Sequence, residues 1–134
     1  MRDTLIVYVI ALLIMAALDF SWLSLTSQPL YHRELGPILA DRPNLVAATA
    51  FYLLYAVGVV VLAIQPAMAN GDWKTALVRG AVLGLIAYGT YDLTNMATLK
   101  HWSLKITLID MAWGSFVTAV TASTATVLAL AWQP

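Results

Sequence analysis

Four long apolar runs, at residues 4–25, 45–65, 76–99 and 104–132, dominate the chain. About 20 mostly apolar residues is what an α-helix needs to cross bilayer hydrocarbon. Lipid offers no partners to backbone N–H and C=O groups, so a lone apolar run can satisfy them only as a helix. The period-two alternation of barrel strands is absent. The expected fold is all-α: a polytopic membrane protein with four transmembrane helices in an antiparallel bundle, forming one transmembrane domain over residues 1–134. Charge content agrees. Charged residues make up 10% of the chain and apolar ones 61%, against about 25% and 45–50% in soluble domains. Seven basic residues balance seven acidic ones. That balance excludes the basic surface of a nucleic-acid partner and the charge excess of a disordered chain. Cysteine is absent, so no disulfide framework or thiolate-bound metal exists.

The connections are unequal. Residues 27–44 carry three prolines and much of the extramembrane charge, and residues 30–39 read as a short interfacial helix ending near Gly36-Pro37. Residues 66–74 form a turn-rich link. Residues 100–103 are so few that the third and fourth spans must form a tight antiparallel hairpin. The first run lacks the small-x-small cleavage site of a signal peptide. Four spans place both termini on one side. The opposite side, carrying the first and third connections, is called the odd face below. Arg2, Lys74 and Arg79 lie towards the terminal side, against Arg33, Arg42, Lys100 and Lys105 on the odd face, a balance that sets no orientation. Arg79 is expected to reach back to the terminal face.

Three of the seven acids fall inside spans: Asp19, Asp92 and Asp110. An Asp at a helix centre costs roughly 2.5–3.5 kcal/mol on insertion scales, so all three are expected to face inward. Their depths match. Each lies six or seven residues from the odd-face end of its span, or about 9–11 Å at 1.5 Å per residue. Polar and aromatic residues accompany them at helical spacing. Trp22 follows Asp19 by three. Tyr88 and Asn95 flank Asp92 at minus four and plus three, and Trp113 follows Asp110 by three. Tyr91 adds to the polar stripe of the third span, and Tyr52 lies at a comparable depth in the second. The repeated D-x-x-W at Asp19 and Asp110 sits on oppositely directed helices, which sends one Trp towards the surface and the other deeper.

Carboxyl groups crowded in a low dielectric do not all ionise, which suits acid/base chemistry, proton relay or oxygen ligation of a hard cation. No metal site is assigned: His32 and His101, the two histidines, fall in connections without zinc-ligand spacing. No nucleophile elbow, P-loop or dinucleotide fingerprint occurs, and no cofactor is identified. Gly80 and Gly84 form G-x-x-x-G in the third span, suited to packing inside the bundle or, alternatively, to a homo-oligomer.

The motifs D-F-x-W-L at Asp19, Y-x-x-x-L-G at Tyr31, F-Y-L-x-Y at Phe51, A-Y-G-T-Y-D-L-T-N-x-A-T-L at Ala87 and D-x-x-W-G at Asp110 cover most of the chain. With them the chain resembles a family of small bacterial membrane proteins known as domain of unknown function 2177. The resemblance implies a multi-pass protein of the bacterial inner (cytoplasmic) membrane. It supplies no established activity. Members are often encoded near fatty-acid-modifying enzymes, which points towards lipid.

The expected function is binding or chemical modification of a membrane lipid or other apolar small molecule in an acidic pocket. Asp92 is the expected central acid/base, with Asp19 and Asp110 as partners; Trp22, Tyr52, Tyr88, Tyr91, Asn95 and Trp113 line the ligand. The alternatives are a proton- or cation-coupled carrier or channel, and an accessory subunit whose polar residues are structural.

Overall fold

A computed structural model describes residues 2–132. Four long helical elements follow one another, and no strand occurs among the described residues. Helix α1 spans Arg2–Thr26 and continues without a break through a π-helical turn at Ser27–His32, a single α turn at Arg33–Leu35 and a 3₁₀ turn at Gly36–Ile38. Helix α2 covers Leu45–Asn70, with a π-helical stretch at Val60–Ile64. Helix α3 spans Trp73–Thr98 and α4 spans Leu104–Trp132.

Caps fix where the helices start. The Asn44 side chain accepts from the Ala47 amide, Asp72 from Lys74 and the Ser103 hydroxyl from Ile106, each supplying an acceptor that the first turn lacks. Gly71, at φ 66°, closes α2 in the left-handed conformation. Each π segment goes with a proline, Pro29 inside the first and Pro66 two residues after the second, which cannot donate to the carbonyl four residues back. For Pro66 that carbonyl belongs to Leu62, and the Arg79 guanidinium of α3 donates to it at 3.2 Å. Arg79 therefore closes a gap that the proline opens in the neighbouring helix.

Two boundaries differ from the sequence expectation. The first connection is helical through Ile38 and continuous with α1, and α2 runs past Gln65 to Asn70. In both places the wider π winding lets the chain pass a proline without leaving the helix. α1 with its extension, α2 and α4 are each long and apolar enough to cross a membrane. α3 has 26 residues, about 39 Å of helix, but is more polar than the other three.

Burial is inverted relative to a bundle in water. Leu13, Phe20, Leu54 and Ile86 are more than half exposed, whereas the interior is built from Ala, Gly, Thr and a few larger residues. Lipid gains nothing by excluding Leu, so close backbone approach through small residues holds such helices together. The tightest case joins α3 to α4. A Cβ at Gly80 would meet the Thr118 carbonyl, and one at Gly84 would strike the Gly114 backbone. Gly80 and Gly84 are thus taken up inside the chain. The apolar core, including Val7, Met15, Val59, Ile64, Val117 and Ala122, fills the end of the bundle away from the odd face. The other end is left to the polar residues.

Candidate functional site

The three acids enter that end from three helices. Asp19 on α1 is half-buried and held from two sides. Trp113 Nε1 of α4 donates to its Oδ1 at 2.8 Å, and the Tyr52 hydroxyl of α2 donates to its Oδ2. Asp110 on α4 accepts from the Tyr31 hydroxyl at 2.9 Å, and Tyr31 in turn accepts from Trp22 Nε1 at 3.1 Å. The Trp22 and Trp113 rings stack, with centroids 4.5 Å apart and planes 8° from parallel. Asp19 and Asp110 are therefore joined through two indoles and a phenol, each N–H or O–H donating inward.

Asp92 of α3 is different. Its side chain is fully buried, and among the described residues neither carboxyl oxygen has a hydrogen-bond partner other than the Asp110 carboxyl. The Asp110 carboxyl lies beside it. Leaving buried polar atoms unpaired costs free energy, about 1–3 kcal/mol per group and more for a charge. Among the described residues no Lys, Arg or His is ion-paired with any of the three acids. The ion pair the structure does form, Lys105 with Glu34 at 3.7 Å, lies outside the cluster at the odd face. No set of three metal-ligating side chains occurs among the described residues.

The aromatic residues divide into two groups. Trp22, Tyr52 and Trp113 are tied into the acid network as above. Tyr88 lies over Gly114, where a Cβ would fall within its ring, and meets Tyr55 edge-on with centroids 6.3 Å apart. Tyr91 is 59% exposed and packs edge-on against Trp102, while Asn95 lies beside Tyr91, at the rim. Between α2, α3 and α4 a groove of about 340 Å³ is lined by Phe51, Ala87, Tyr88, Tyr91 and Asp110. Its outer wall, Phe51 and Tyr91, is exposed on the apolar flank of the bundle; its inner end carries the Asp110 carboxyl.

The opposed directions of α1 and α4 do not send Trp22 and Trp113 apart. Helical side chains lean towards their own N-terminus. Trp22 leans inward and Trp113 leans towards the odd face, so their rings converge. Tyr31 and Tyr55 were not among the expected site residues. Tyr55 is buried and shares a 2.8 Å hydrogen bond with Thr118 of α4, and its place three residues after Tyr52 marks the same helix face. Tyr31 lies nine residues after Trp22, about two and a half turns of regular α-helix, which would put it on the opposite face. The π turn at Ser27–His32 brings it round to Trp22 and Asp110.

Four helices with Leu and Phe outward and carboxyl groups inward define an all-α integral membrane protein. The chain belongs to the DUF2177 family of predicted membrane proteins, which it matches over residues 4–127. No curated protein and no solved structure matches it.

Proposed function

We propose that the protein binds or chemically modifies a lipid or other apolar molecule at the polar end of the bundle that carries Asp19, Asp92 and Asp110, working in a bacterial inner membrane. The observation that carries this reading is Asp92: a fully buried carboxyl whose oxygens meet no partner among the described residues but the Asp110 carboxyl, which ends an aromatic groove open to the apolar flank. A purely structural Asp in a bundle is expected to take its helix–helix hydrogen bond from a neutral donor rather than face a second acid. A buried carboxyl paired only with another carboxyl, next to a ligand-sized groove, suits a group that acts on, or anchors, what enters. In this reading Asp92 and Asp110 provide the acid/base or anchoring pair. Asp19 and its donors fix the indoles and Tyr31 around them, and Tyr88 and Tyr91 bound the ligand.

The test is mass spectrometry of small molecules that co-purify with wild type and with Asp92→Asn. Asn keeps the size of Asp but cannot ionise or relay a proton. The expected result is an apolar molecule retained by wild type and lost by a variant that remains monodisperse. Equal retention by the two, or none by wild type, would refute it.

A second reading, a proton-coupled carrier, draws on one further feature. Thr118 and Thr121 continue the Asp110 face of α4 away from the odd face. Both are fully buried, and the Thr121 hydroxyl has no partner among the described residues. Proton flux into proteoliposomes that stops in Asp92→Asn would favour it over ligand binding.

A further inference from the structure

The groove that ends at Asp110 constrains the head group of what it holds. This step rests on the ligand-binding reading above and deepens it. About 340 Å³ is at the small end of ligand pockets, enough for a head group and part of one chain. Acceptors are in excess at its inner end. Asp110 takes the Tyr31 hydroxyl on Oδ1, and Asp92 behind it meets no donor among the described residues outside this acid pair. Among the described residues no basic side chain is ion-paired with either acid. Glu34 takes Lys105 at the odd face, and Arg79 is committed to the Leu62 carbonyl near the opposite end. An ammonium brings three N–H donors and one positive charge, whereas a hydroxyl brings one donor and no charge. The side walls, Phe51, Tyr88 and Tyr91, are aromatic, and ring faces attract cations. A carboxylate or phosphate head would meet like charge in a low dielectric.

We infer that the groove takes a single-chain amphiphile with a cationic amine head, entering sideways from the bilayer between Phe51 and Tyr91. Its ammonium pairs with Asp110, with the Asp92 carboxyl behind it, and its chain leaves along the exposed apolar flank. Among the described residues no three metal-ligating side chains cluster here.

Four probes decide this by calorimetric titration of the full chain in maltoside micelles, with protein-free micelles as the partition blank: dodecylamine, dodecanol, dodecanoate and ethylamine. Dodecylamine is expected to bind about tenfold or more tighter than dodecanol, since charge-assisted hydrogen bonds are about twice as strong as neutral ones. Dodecanoate and the chainless ethylamine are expected not to bind over the same range. Asp110→Asn should reduce dodecylamine to the level of dodecanol. Ala87→Leu, which narrows the groove and leaves all three acids in the sequence, should weaken both, and it keeps the test decisive if Asp110→Asn does not fold. Dodecanol or dodecanoate matching dodecylamine in wild type would overturn the cationic head while leaving an apolar-ligand site standing. Ethylamine matching dodecylamine would overturn the chain-binding groove. No binding by any probe would refute this inference, and wild-type protein that also retains no co-purifying molecule would refute the ligand-binding reading with it.

Discussion

Gly114 shows how closely side chains at this site are fitted to backbone. The Tyr88 ring occupies the space a Cβ would need there, while Gly58 in α2 has nothing within 4 Å of the same construction. The two glycines therefore make a matched pair. Gly114→Ala is expected to cost about 1–3 kcal/mol, the usual penalty of overpacking, and to displace Tyr88 from the groove. Gly58→Ala should be neutral or stabilising by up to about 1 kcal/mol through helix propensity. Reversible unfolding of both variants in mixed micelles measures the difference; equal stabilities would mean that Tyr88 does not rest on Gly114. Asp19 allows a second residue-level test. It accepts from Tyr52 and Trp113, so Tyr52→Phe leaves one oxygen without that donor. The cost should exceed the roughly 0.6 kcal/mol average of a membrane hydrogen bond, because the acceptor is a carboxylate. Tyr8→Phe, which removes only a bond to the Leu53 carbonyl, serves as the ordinary reference in the same measurement.

At the level of elements, the limits of sequence reading trace to winding. The helix faces of Asp19, Asp92, Asp110, Tyr52 and Tyr88 could be read from spacing because α-helical periodicity holds through the segments that carry them; the convergence of Trp22 and Trp113 could not, since it turns on which way their side chains lean. Tyr31 could not. A periodicity of 3.6 residues puts it on the wrong side of α1, and nothing in the sequence SQPLYH declares an i→i+5 turn beyond the proline within it. The same held at Pro66, where a turn was expected and the helix instead continues to Asn70. These two turns give separable expectations. Pro29→Ala, which returns a backbone N–H to the Leu25 carbonyl in the first π turn, should restore regular α winding over all nine residues after Trp22 and swing Tyr31 away from Asp110. Ligand retention should then fall to that of Tyr31→Phe, and retention at wild-type level would show that the π turn does not place the phenol. At the second turn, Arg79→Met removes the guanidinium from the Leu62 carbonyl and is expected to destabilise by about 1 kcal/mol. Pro66→Ala returns a backbone N–H to the same carbonyl and should recover most of that loss in the double variant. A double-mutant cycle on unfolding free energies gives the coupling, and simple additivity would sever the link between the two residues.

For the whole molecule, the open physical question is how α3 is held across the bilayer. It has the length to span but carries Asp92, Asn95 and a run of Tyr and Thr that make it the most polar of the four helices. Its Gly80 and Gly84 faces are closed against α4 and Asp92 is hidden completely, so its carboxyl is kept from lipid, while the exposed Thr90 and Thr98 hydroxyls are tied to carbonyls of α3 itself. α3 and α4 should therefore behave as one inserted hairpin. The cysteine-free sequence makes this measurable, because any introduced cysteine is the sole thiol. Single cysteines at Arg42, in the first connection, and at Lys100, between α3 and α4, should react with a membrane-impermeant maleimide from the same side of sealed vesicles. A cysteine at Asp72, between α2 and α3, should react from the other. If α3 instead lay on the surface, Lys100 would label together with Asp72 and opposite Arg42. In a chain cut after Thr98, α3 loses the partner that covers Asp92. A cysteine placed at its end should then label from the Asp72 side, since an uncompensated carboxyl near mid-membrane outweighs the apolar residues around it.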